Sequence, residues 1–373
     1  MIVGVPKEIK VHEYRVGLVP AAVRELTSSG HEVVVQAGAG DGIGVDDTDY
    51  QAVGASILPT ADAVFDAAQM IVKVKEPQAV ERKRLKPGHL LFTYLHLAPD
   101  PDQTRDLIDS GATCVAYETV TGRGGGLPLL APMSEVAGRL SIQAGAHFLE
   151  KAHGGLGLLL GGVPGVPPAK VVIIGGGMVG THAAAMAVGL EAEVWVLDRN
   201  VDALRRLWQQ FGSRINTEFS TRLALETHCA DADLVIGGVL IPGAAAPKLV
   251  DRQILKTMRN GSVVVDVAID QGGCFETSRP TTHDDPVFIE EGVIHYCVAN
   301  MPGGVPRTST YALNNATLPF VIALANHGVD ALKRDEHLRA GLNVMAGKVT
   351  CEPVAIAQNL PYVSAEKALG MPT

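Results

Sequence analysis

An α/β architecture of two doubly wound domains, with a cleft between them, follows from three features of this sequence. Its 373 residues exceed one ordinary domain and suit two. Short β-branched runs alternate with helix-like stretches through both halves, the spacing of βαβ units around a mostly parallel sheet. A Gly- and Pro-rich stretch at 121–132, TGRGGGLPLLAP, separates the two alternating series.

The first series opens with the apolar run at 2–5. Pro20 then starts a helical stretch that Gly30 closes, since Pro suits a first turn and Gly an exit. Residues 32–36, 70–75 (MIVKVK), 90–95 (LLFTYL) and 113–117 (TCVAY) are the next strand-like runs, separated by helix-like segments. Beyond the junction, Ser134 and Glu135 begin a long helical pattern that runs towards His153. A second loop, GGVPGVPPAK, leads into the next series, which begins at Val171: VVIIG, AEVWVLD, DLVIGGV, GSVVVDVA and VIHYCVA. Residues 312–326 read as helical despite Pro319, and the tail is mixed, with the C-terminal segment expected to fold back onto the first domain.

Composition narrows the function classes. Lys and Arg total 31 against 40 Asp and Glu, a net charge of −9 that disfavours nucleic acid and anionic lipid as partners. With 47% hydrophobic and 19% charged residues, the chain has enough apolar material for real cores and is not disordered. The uncharged stretch 171–190 would satisfy a transmembrane hydropathy window, but a triple Gly in mid-span breaks it. The five cysteines are scattered and odd in number, without C-x-x-C, so they read as buried free thiols. No metal site is indicated. The start, MIVGVPKEIK, lacks a secretory pattern, and a cytoplasmic location is expected.

The most informative motif is VVIIGGGMVG, which contains G-x-G-x-x-G as Gly175, Gly177 and Gly180. It follows a β-branched run and precedes an Ala-rich helix, and the next strand ends in Asp198, 18 residues after Gly180. That is the full dinucleotide unit: a tight turn, a helix N-terminus for pyrophosphate, and a carboxylate for the ribose hydroxyls. A carboxylate at Asp198 repels a 2′-phosphate and favours NAD over NADP, although Arg199 follows it directly. The expected division is a Rossmann domain at 129–306 and a substrate domain at 1–128 plus 307–373.

Ligands of open parallel sheets bind beyond the carboxyl ends of the strands. Three residues of useful chemistry sit at such positions in the first domain. Arg15 lies in the loop after the first strand, Lys75 ends MIVKVK, and His96 follows LLFTYL. Any one of them alone would read as a solvated cation or a packed histidine; three on one edge point to a substrate pocket. In the second domain Asp270 lies beyond a buried strand and is expected to face the cleft. Asp266, within that strand, reads as structural.

Specific strings then extend the reading. GVPKEIKVHEYRVGLVP, VKVKEP, YLHLAPD, LAPMSEVAGRLSIQAGAHFLEK, IIGGGMVG, GGVLIPG, VVVDVAIDQGG and NMPGGVPRTSTYALNNAT occur in order along nearly the whole chain. The sequence resembles the family of alanine dehydrogenases and transhydrogenase NAD-binding subunits. Transhydrogenase members lack the amino-acid-handling Lys, His and Asp, whereas this chain carries all three as Lys75, His96 and Asp270. The resemblance therefore implies NAD-dependent oxidative deamination of L-alanine to pyruvate and ammonium. The alternative is an NAD-binding subunit of a proton-translocating transhydrogenase.

Carried over by motif, the resemblance implies that Arg15 and Lys75 bind substrate and that His96 and Asp270 are catalytic. For NAD it implies Ser134, then Met178 and Val179 in the glycine turn, Asp198, Val239 and Leu240. It adds Val267, Ala268, Ile269 and Asp270, then Val298, Ala299, Asn300 and Met301. Ser220 and Arg279 match less distinctive strings. Family members are usually homohexamers. One departure is Gly304, where Ala is common in the family.

Overall fold

The computed structural model describes residues 1–239 and 246–372. It divides into two compact units, Met1–Met133 with Val305–Thr373, and Ser134–Gly304. The strands of the N-terminal part are Ile2–Val5 (β1), Glu32–Gln36 (β2), Ser56–Leu58 (β3), Met70–Val72 (β4), Leu90–Thr93 (β5) and Thr113–Ala116 (β6). Those of the middle part are Lys170–Ile174 (β7), Glu193–Asp198 (β8), Asn216–Phe219 (β9), Leu234–Gly237 (β10), Val263–Asp266 (β11), Val287–Glu290 (β12) and Val293–Tyr296 (β13). Leu342–Met345 (β14) and Lys348–Val349 (β15) follow near the C-terminus.

The first unit holds the sheet β15-β14-β6-β5-β4-β1-β2-β3. Its strands β1 to β6 are parallel, and β14 joins antiparallel to β6. The chain winds outward from β1 through β2 and β3, then restarts at β4 on the other side of β1. That reversal is the topological switch point of the sheet, the place where such sheets bind ligands. The C-terminal segment returns to this unit. Besides the β14 pairing, Asn314 accepts from Val19 N (2.9 Å) and donates to Gly17 O (3.0 Å).

The second unit holds β12-β13-β11-β10-β7-β8-β9, parallel except for the β12–β13 hairpin. Its switch point falls between β7 and β10. Both faces of this sheet are covered, which explains why its central strands read as unbroken apolar runs. Val171, Ile173, Leu234, Ile236, Val263 and Val265 enter one core, while Val172, Ile174, Val235 and Val264 enter the other. A covering helix, Val201–Phe211, buries Ala203, Leu204, Leu207 and Phe211 on one stripe, and the Asn200 side chain caps it through Asp202 N and Ala203 N.

Several elements differ from the sequence reading. The run 70–75 is a strand only to Val72. Beyond it, the Glu8 carboxylate accepts Val74 N–H (2.7 Å) and Lys75 N–H (3.4 Å), so those donors are satisfied outside the ladder. The helix expected from Ser134 begins at Ala131, because Pro132 falls in the first turn where no amide donor is needed. It ends at Phe148, and a separate 3₁₀ turn, Lys151–His153, follows. The helix around Pro319 is longer than expected, Pro306–His327. The stretch 171–190 is β7, its turn and the helix Met178–Gly189, and no described helix is long and apolar enough to cross a membrane. All five thiols are free; Cys351 is half-buried, and burial pushes Cys114, Cys229, Cys274 and Cys297 up to about 12.

Candidate functional site

In the second unit the strand register brings the fingerprint residues side by side. Ile174 pairs with Leu197 and Gly237, and Gly237 pairs with Asp266. The residues just past these positions therefore emerge along one edge of the sheet. There stand Gly175, Gly177, Met178, Val179 and Gly180 after β7, Asp198 ending β8, and Ser220 after β9. Val239 follows β10, Val267 to Asp270 follow β11, and Val298 to Met301 follow β13. Leu240 lies outside the described residues. Ser134 is half-buried in the first turn of the helix Ala131–Phe148. Arg279 is placed differently: its guanidinium stacks over the Phe288 ring of β12 at 4.1 Å.

The glycine turn is built by close approach. Gly175 has φ 107°, and a Cβ on Gly180 would fall 1.8 Å from Gly175 O, so neither position tolerates a side chain. A Cβ on Gly177 would meet nothing within 4 Å, leaving open space in front of the helix N-terminus where a pyrophosphate would be cradled. Asp198 accepts from Gly176 N (2.5 Å) and Asn200 N (2.6 Å), which fixes its carboxylate beside the turn. The chain thus fits a dinucleotide. Asp266 is fully buried and accepts from Cys274 N (2.8 Å) and Ser278 Oγ (2.5 Å). Burial raises its pKa against these bonds, and it shapes the loop that carries the exposed Asp270. At the departure from the family pattern, a Cβ on Gly304 would lie 2.6 Å from the His283 ring.

In the first unit Arg15, Lys75 and His96 follow β1, β4 and β5, three adjacent parallel strands at the switch point. Arg15 is buried, and Glu13 occupies one edge of its fork, accepting from Nε (2.7 Å) and Nη2 (2.6 Å). Burial opposes the guanidinium charge, but Glu13 outweighs it and the Arg15 pKa is raised. Nη1 reaches Met133 Sδ at 3.0 Å. Lys75 is half-buried. Glu76 beside it is lowered: burial pushes its pKa up, and the charges of Lys75 and Lys10 prevail.

His96 is exposed and adopts φ 49°, the left-handed region. Two groups hold it there. The Tyr94 ring stacks on the imidazole at 5.7 Å with 5° between planes, and Tyr94 is anchored by donating its hydroxyl to Leu129 O (2.5 Å). Glu118 accepts His96 N–H at 2.6 Å and Leu95 N–H at 3.2 Å, and its Oε1 lies 3.9 Å from His96 Nδ1. Burial raises the Tyr94 hydroxyl pKa against the pull of the nearby Arg15.

Sequence reasoning missed these supporting groups: Glu8, Glu13, Tyr94 and Glu118. A usable signal existed for one, since Glu118 follows β6, the next carboxyl end along from His96. Glu8 and Glu13 lie within the same loop as Arg15 but read there as ordinary solvated charge.

Comparison with known proteins completes the picture. Residues 4–137 match the model described as alanine dehydrogenase/PNT, N-terminal domain, and residues 141–352 match its C-terminal domain. The chain belongs to the alanine dehydrogenase/PNT family. It is an NAD-dependent oxidoreductase of that family. The alanine dehydrogenase of Halomonas elongata is 59% identical over 99% of this chain and 100% of its own length, and that of Mycolicibacterium smegmatis is 54% identical over the same shares. A solved L-alanine dehydrogenase superposes with a TM-score of 0.94 at 52% identity, covering 96% of this chain and 99% of its own. A transhydrogenase from Sinorhizobium meliloti is more distant, with a TM-score of 0.80 at 27% identity over 94% of this chain and 98% of its own.

Proposed function

We propose that this chain catalyses the reversible, NAD-dependent oxidative deamination of L-alanine to pyruvate and ammonium. The observation that carries the proposal is the gathering of Arg15, Lys75 and His96 at one switch point, in a chain 59% identical to an alanine dehydrogenase. NAD, when bound along the edge from Gly175 to Met301, supplies the hydride acceptor. Arg15, oriented by Glu13, binds the substrate carboxylate through its guanidinium charge. Lys75 holds the same carboxylate or polarises the developing carbonyl oxygen. Once Cα has lost hydride the substrate is an iminium, to which water must add and from which ammonia must leave. Both steps move protons near neutral pH, which suits the His96 imidazole as base and then acid. Asp270 stabilises the iminium and orients the incoming water.

Assays of NADH formation on L-alanine test the assignment. His96→Ala and Asp270→Asn are each expected to lower kcat by roughly 10²–10⁴-fold with the fold intact. Arg15→Met is expected to raise KM for pyruvate at least about tenfold, the loss of a charge-assisted bond. Near wild-type values in any of these remove that residue from its role. Turnover of L-alanine by the isolated chain separates this reading from that of a transhydrogenase subunit. A cytoplasmic location belongs to the same proposal, as does assembly as a homohexamer, which rests on the family resemblance.

A further inference from the structure

The helix Ala131–Phe148 does not end in a simple loop. Glu150 N donates to His147 O (3.2 Å) and His153 N donates to Glu150 O (3.1 Å). Glu150 itself is extended, with φ −65° and ψ 145°, and the short 3₁₀ turn Lys151–His153 follows it. This bend brings the side chains of His147, Glu150 and His153 together. Oε1 of Glu150 lies 3.8 Å from His147 Nδ1, its Oε2 lies 3.9 Å from His153 Nε2, and the two imidazole centroids are 4.0 Å apart. Among the described residues, this is the one group of three His, Cys, Asp or Glu side chains whose ligand atoms all lie within 4.8 Å of one another.

We propose that His147, Glu150 and His153 form a binding site for one divalent zinc ion, separate in its residues from the dinucleotide and substrate groups. Two imidazoles and a carboxylate are a borderline-soft set suited to zinc, with the remaining positions left to water. Around a tetrahedral zinc with bonds near 2.0–2.1 Å, ligand atoms sit about 3.3 Å apart, so side-chain rotations that draw the three ligand atoms inward complete the site. The side chains are 52%, 60% and 35% exposed and have room to make that adjustment.

The backbone beneath them is fixed. Gly155 N donates to Glu150 O (3.1 Å), Gly157 N to Leu149 O (2.8 Å), and Leu149 is fully buried. Phe148 sets its ring edge-on to both imidazoles, at 5.1 and 5.7 Å, and is itself buried against Tyr296. The helix C-terminus adds the negative end of its dipole, which favours a cation. Lys151 turns its ammonium to Gly155 O at 3.5 Å. Four of the five thiols are buried with pKa pushed up to about 12 and do not compete as thiolates at neutral pH.

Equilibrium dialysis of the full chain against zinc chloride at neutral pH tests the site. One zinc per chain is expected to bind at least tenfold more tightly than to His147→Ala/His153→Ala. Equal stoichiometry and affinity in the two proteins would overturn the proposal. Where the double variant misfolds, His153→Gln alone decides: a tenfold or greater weakening supports the site, and unchanged affinity refutes it.

Discussion

Glu118 keeps His96 in a backbone conformation that L-residues adopt at a cost, φ 49°, by taking the amide hydrogens of both Leu95 and His96. The same carboxylate stands 3.9 Å from His96 Nδ1. Glu118→Gln keeps an amide oxygen that can accept the backbone bonds but removes the charge. Its kcat/KM for L-alanine is expected to fall with the fold retained. An unchanged kcat/KM would show that Glu118 acts on the backbone alone. Lys75 and His96 stand out in the sequence because each follows an apolar run directly, and Arg15 because it lies in the loop after the first strand. Glu118 also follows a strand, but its pairing with His96, 22 residues away, shows only once the β5–β6 register brings them together. The His147, Glu150 and His153 grouping was hidden for another reason: on a continuous α-helix, residues three and six apart drift off one face, and only the bend at the extended Glu150 brings them together.

The switch point of the first sheet is braced by a buried charge cluster. Lys73 Nζ donates to Glu8 Oε2 (3.0 Å) and Glu81 Oε1 (2.7 Å), with all three side chains essentially inaccessible. Burial, then the nearby Glu81 and Glu13 charges, raise the Glu8 pKa against the pull of Lys73, while the two carboxylates together raise Lys73 despite its own burial. Glu8 spends its other oxygen on the Val74 and Lys75 amides, so this cluster sets where the Lys75 backbone leaves the sheet. Lys73→Met leaves two buried carboxylates without their cation and is expected to cost about 3–5 kcal/mol. Urea unfolding measures it, and a loss below about 1 kcal/mol would mean that the carboxylates simply take up protons. Such a cluster also marks the limit of pattern reading. The central strands β5, β7, β10 and β11 announce themselves as apolar runs, since both faces of their sheets are covered. The run 70–75 looked equally strandlike, but its two lysines belong to different environments, one buried in the cluster and one beyond the strand. Edge strands β3, β9 and β12 are short and half-exposed, and carry little periodic signal.

Each of the two units contains a buried histidine whose pKa is lowered from 6.5, chiefly by burial: His89 in the first and His295 in the second. For His295 the bonds show why. A carbonyl can only accept, so Nδ1 carries the hydrogen given to Val293 O (2.9 Å), and Nε2 accepts from the Thr277 hydroxyl (2.8 Å). Protonation would remove that acceptor and place a charge in a buried site. The folded pKa lies below the unfolded one, so below about pH 6.5 the unfolded chain binds more protons and stability falls as pH falls. Each such histidine contributes a slope of at most about 1.4 kcal/mol per pH unit until its folded pKa is reached. The overall charge acts in the opposite sense. From −9 at pH 7 the protein moves towards its pI of about 5.7, which relieves self-repulsion and stabilises the compact state. The two effects are separable by substitution. Chemical denaturation from pH 7.5 to 5 is expected to show a steeper decline for wild type than for His295→Gln, which keeps a polar side chain but cannot titrate. Parallel curves for the two proteins would mean that His295 is protonated as readily in the folded chain as in the unfolded one.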